Sequence, residues 1–82
     1  MIEEINESID VVAAFSAGKI SPILFSWHNR RYNNLKTVNI WSDSEGNVKI
    51  VHISVTTDST NLYDLCFNTH NFQWSLVKIY HE

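Results

Sequence analysis

"VKIVHISV", residues 48–55, decides the fold class. Extended, it places Val51, Ile53 and Val55 on one side and Val48, Ile50 and His52 on the other. The same period of two recurs on either side of it. In "LYDLCF", Tyr63, Leu65 and Phe67 stand opposite Asp64 and Cys66. In "QWSLVKIY", Trp74, Leu76 and Lys78 alternate with Ser75, Val77 and Ile79. In "ILFSW", Ile23, Phe25 and Trp27 alternate with Leu24 and Ser26. "LKTVNIW" is rich in residues that suit a pleated, half-buried surface.

Turn signals separate these runs: Gly18 followed by Pro22, then Gly46, "TTDSTN" at 56–61 and "NTHN" at 68–71. Runs of about five to nine residues between regular turns predict a mainly β chain. The expected architecture is an antiparallel meander of about five or six strands, closed into a small barrel or barrel-like sandwich. Its expected core is Ile9, Val11, Phe25, Trp27, Tyr32, Val38, Ile40, Val51, Ile53, Val55, Tyr63, Leu65, Phe67, Trp74 and Leu76.

The N-terminal segment fits two descriptions. Ile2, Ile5, Ile9, Val12 and Ala13 form a helical stripe, whereas Ile9, Val11, Ala13 and Phe15 alternate. The β-branched residues favour a strand from Ser8 to Phe15, after a frayed acidic start over 1–7. Apolar residues on both sides of 48–55 and 74–79 call for a second cover, and a homodimer would supply one.

At 82 residues the chain is expected to form one domain. Six basic and nine acidic residues give a net charge of −3, with Glu3, Glu4, Glu7 and Asp10 in the first ten positions. A strongly basic nucleic-acid domain would read differently. The only cysteine, Cys66, allows no internal disulfide and no thiolate zinc cluster. His28, His52, His70 and His81 lack ligand spacing, so no metal or cofactor is expected. Convergence of His52 and His70 with Asp58 or Asp64 is the minor alternative. The start lacks a basic-then-apolar leader, and no apolar run nears the ~20 residues of a membrane helix. A cytoplasmic location is therefore expected, with no membrane partner. No nucleophile elbow, phosphate-cradling glycine loop or zinc-protease motif occurs, so no catalytic residue is expected.

The most unusual stretch is "FSWHNRRY", residues 25–32. Period two sends Phe25 and Trp27 inward, and "HNRR" reads as a hairpin loop in which Asn29 tolerates positive φ. Arg30 and Arg31 are expected at its tip. The candidate contacts for an anionic or other partner are His28, Arg30, Arg31, Tyr32 and Lys36. The stretch "IDVVAAFSAGKISPILFSWHNRRY", with Trp74-Ser75-Leu76 near the C-terminus, resembles a family of small uncharacterised bacterial β-proteins. These carry an aromatic-x-Trp-x-x-Arg-x-Tyr hairpin, whose turn often holds Gly where this chain has Asn29. The resemblance implies a fold type and no activity.

Three functions are compatible with these residues. The first is a non-enzymatic interaction module acting through sheet edges and exposed aromatic or basic surface, with itself or another protein. The second is a single-stranded nucleic-acid-binding barrel using Arg30, Arg31, Lys36 and exposed Tyr32 or Trp41. The third is a small enzyme or metal-binding protein resting on scattered His and Asp.

Overall fold

The computed structural model describes residues 1–82. It contains seven strands: β1 (Ile2–Ser16), β2 (Lys19–Trp27), β3 (Arg30–Tyr32), β4 (Lys36–Glu45), β5 (Val48–Thr56), β6 (Leu62–Asn68) and β7 (Gln73–Tyr80). They form one antiparallel sheet in the order β3-β2-β1-β7-β6-β5-β4. No helix is long and apolar enough to cross a membrane.

The mainly β, antiparallel expectation holds, but the count is seven rather than five or six. The extra strand arises because Asn33 and Asn34 split the run after Arg30. Asn34 adopts φ 55°, which ends β3 at Tyr32 before β4 begins at Lys36. The sheet also does not close into a barrel. β3 and β4 are its two ends and do not pair with each other.

β1 is the hinge of the architecture. Its first half, from Ile2 to Ile9, pairs with β7, and Asp10 to Ser16 pair with β2. Register shifts fall between Glu4 and Glu7, where Asn6 has φ 53°, and between Val12 and Ala13. Such bulges bend a strand and increase its twist. Here they fold β2 and β3 over one face of β5–β7. Phe25 meets Tyr63 at 5.6 Å, and Phe15 meets Phe67 edge-on at 6.0 Å. The N-terminal segment is thus a strand, and its acidic start is not frayed, since Ile2 pairs with Tyr80 and Glu4 with Lys78.

The core lies on the inner face: Ile9, Phe25, Val51, Ile53, Val55, Tyr63, Leu65, Phe67, Trp74, Leu76 and Ile79. Val11, Trp27 and Tyr32 pack against it half-buried. Val38 and Ile40, expected in the core, are 61% and 49% exposed because they sit on the end strand β4. Ile79 joins the inner face through a bulge. Asp64 pairs with Lys78 but Leu65 with Leu76, so Val77 is skipped and the alternation resets. The outer face is mixed: Ser54, Asp64 and Lys78 are polar, while Ile50 is buried and Val48, Leu62 and Tyr80 are half-buried.

Candidate functional site

The β2–β3 hairpin turns on His28 and Asn29 alone, with φ 52° and 61°. Positive φ at both central residues marks a turn whose twist matches the flanking strands. Arg30 and Arg31 are consequently not at the tip, as expected from "HNRR". They lie in β3, paired with Trp27 and Ser26. Residues of one strand alternate, so the two side chains start toward opposite faces, yet at this open edge both border the same clefts.

Two clusters hold this hairpin. Trp27 Nε1 and His28 Nε2 both donate to Glu7 Oε1, at 3.0 and 2.9 Å, and the His28 ring stacks on Trp27 at 4.2 Å. The Trp27 and His28 hydrogen bonds hold the Glu7 carboxyl below the usual carboxylate range. Tyr32 stacks flat on Phe25 at 4.6 Å, with the Arg30 guanidinium 5.3 Å from its ring centre. Burial pushes the Tyr32 phenol up, against the pull of Arg30.

His28, Arg30 and Arg31 share the wall of one shallow cleft of about 480 Å³. Arg30, Arg31 and Tyr32 also border a second, of about 620 Å³, facing Glu3, Asp58 and His81. In that cleft His81 Nε2 donates to Glu3 Oε1 at 2.8 Å, and Asn34 donates to Asp58 at 3.0 Å. Its charge is mixed, with acids beside the arginines. Lys36 does not join the group. It starts β4 and pairs with Thr56.

β4 presents a different surface. All ten of its residues are exposed, and Trp41 is 40% exposed beside Val38 and Ile40. The Ile40 amide donates to the Asn39 side chain at 3.0 Å, so it is not spent on the β5 ladder. Alternation puts the amides of Ser42 and Ser44 on the same open side. A register shift between Thr37 and Asn39 leaves Val38 unpaired. Past that bulge, Trp41 aligns with His52 and Ile40 with Ile53, so Ile40 faces inward and Trp41 outward. An open slot of about 480 Å³ separates β4 from the start of β2, with Ile20, Ile40, Val51, Lys19 and Lys49 in its lining.

On the outer face Trp41 stacks on His52 at 5.1 Å, and His52 Nε2 lies 3.4 Å from Asp43. Cys66 pairs with His52 across the ladder. Burial pushes its thiol up, opposite to what an attacking thiolate needs, with a Ser75 hydrogen bond acting the other way and Glu45 adding to the rise. No group of three or more His, Cys, Asp or Glu side chains is placed to hold a metal ion.

Val38 and Ile40 resemble core residues in sequence, which hides this edge until their exposure is seen. The signal was present nonetheless. Asn39, Ser42, Asp43 and Ser44 interrupt any continuous apolar face, whereas β5 sustains one. No family model, curated protein or solved structure matches the chain.

Proposed function

We propose that this protein is a non-enzymatic interaction module that binds by adding an extended strand to the β4 edge. The observation that carries this is β4 itself: ten exposed residues in a row, with Val38, Ile40 and Trp41 among them. A long edge strand with apolar side chains offers a row of free N–H and C=O groups for pairing, and natural proteins usually blunt such edges. β3, only three residues long and carrying Arg30 and Arg31, fits that pattern of blunting. β4 is blunted by the bulge beside Val38, by the capped Ile40 amide and by charges toward its ends at Lys36, Asp43 and Glu45, which leaves Thr37 to Ser42 uncharged.

A nucleic-acid role has less support. Tyr32 is engaged by Phe25 and Tyr63, and the arginines share their cleft with Glu3 and Asp58. Salt-sensitive retention of labelled single strands would favour that role instead.

The test is a selection of extended peptides on the purified protein, compared with the Ser42→Pro variant. Proline at Ser42 removes an amide that faces the open side, a place where edge strands tolerate it. Peptides that bind the parent and lose the variant support the proposal. Binders indifferent to both Ser42→Pro and Trp41→Ala contradict it.

A further inference from the structure

We infer that the strand taken up by β4 is β4 of a second copy of this chain, antiparallel and related by a two-fold axis at Trp41. This rests on the interaction-edge reading above and names its partner. The argument is charge and face complementarity. β4 begins with Lys36 and ends with Asp43, Ser44 and Glu45. Reversed against itself, its basic end meets its acidic end. The bulge at Val38 matters here. Lys36 aligns with Thr56, Asn39 with Ser54, Trp41 with His52, Asp43 with Ile50 and Glu45 with Val48. All five therefore share the outer face. Without the bulge, Lys36 would lie on the opposite face from the two acids.

A two-fold axis perpendicular to the sheet keeps each face on its own side, so residues pair with others of the same face. Centred on Trp41, it sets the two Trp41 rings opposite each other and Asp43 opposite Asn39 of the other copy. Glu45 then falls at the bulge, next to the other copy's Lys36. Ile40 lies opposite Ser42, and both belong to the open-amide set defined by the Ile40–Asn39 bond. Trp41 sits in the other set, where facing side chains approach most closely. Pairing releases the Ile40 amide from Asn39, whose side chain becomes free to donate to Asp43. Lys49 lies one strand in from the edge and Lys19 across the slot, so neither opposes Lys36 along the edge itself.

Sedimentation of the full chain over a range of concentrations tests this. The expected result is a concentration-dependent dimer. Ser42→Pro is expected to yield monomer with an unchanged β spectrum. Lys36→Glu should weaken the dimer about tenfold, because like charges then face each other twice. Lys36→Glu combined with Glu45→Lys should recover most of that loss, a rescue that only a self-complementary edge gives. The double variant also keeps the test sharp if proline disturbs the strand. A chain that stays monomeric at ~1 mM, or a dimer indifferent to all three variants, overturns the inference. Peptides that still bind the edge of a monomeric chain would leave the proposed function standing while the self-pairing falls.

Discussion

Ile53 and Ile40 are the same residue type, directly paired across β5 and β4, and on the same inner face. Ile53 is fully buried and Ile40 is half exposed. Side-chain direction is therefore not what separates them. Position in the sheet is. β5 has β6 on its far side and lies among strands rich in inward-facing apolar residues, whereas nothing pairs beyond β4. An alternating pattern says which way a side chain points. It does not say how much protein lies in that direction.

The sharpest way to break this comparison is to truncate both residues. Ile53→Ala should cost about 2–5 kcal/mol of stability, the range for buried aliphatic truncation. Ile40→Ala should cost the monomer under about 0.5 kcal/mol, as exposed substitutions do. Urea titrations of the two variants would check this, and equal losses would erase the distinction between strand and edge.

A smaller effect sharpens the outer-face side of the comparison. Ser54 is buried on β5, and its Oγ donates to Asp64 Oδ1 at 2.6 Å. Ser54→Ala should lower stability by about 1 kcal/mol, since it leaves a part-buried carboxylate with one partner fewer. Thr37→Ala, on the exposed strand β4 and aligned with Val55 of the inner face, should change the midpoint of the same urea titration very little.

The smallest effect belongs to the opposite end of the sheet, where Glu7 clips the β2–β3 hairpin through Trp27 and His28. Folding lowers the Glu7 pKa from its ordinary 4.5, so its contribution is present above that value. It fades as pH falls through the lower folded value. Acid titration of Trp27 fluorescence should show a transition below pH 4.5 that Glu7→Gln removes, with little change at neutral pH.

The sequence made the strands legible and left their rank obscure. β5, β6 and β7 could be read because period two runs through Val51, Ile53, Val55, Tyr63, Leu65, Phe67, Trp74 and Leu76, all of which are buried. The acidic start could not, because Glu3 and Glu4 are held by pairing with β7, a contact with no local signature. Val77 misled for a similar reason: a bulge resets the alternation without changing the residue types. At the candidate site, the hairpin turn and the inward course of Phe25 were legible. The place of Arg30 and Arg31 was not, since it depends on a turn of only two residues, His28 and Asn29. The importance of β4 was hardest to see, because its apolar residues look like core until the strand order is known.

Hydrogen exchange at single amides tests most directly whether β4 is the binding edge. The amides of Ser42 and Ser44 should exchange quickly in dilute protein and slow as concentration rises, while Ile53 and Leu65 stay protected throughout. Fast exchange at Ser42 and Ser44 at every concentration, and with selected peptides present, would contradict the account.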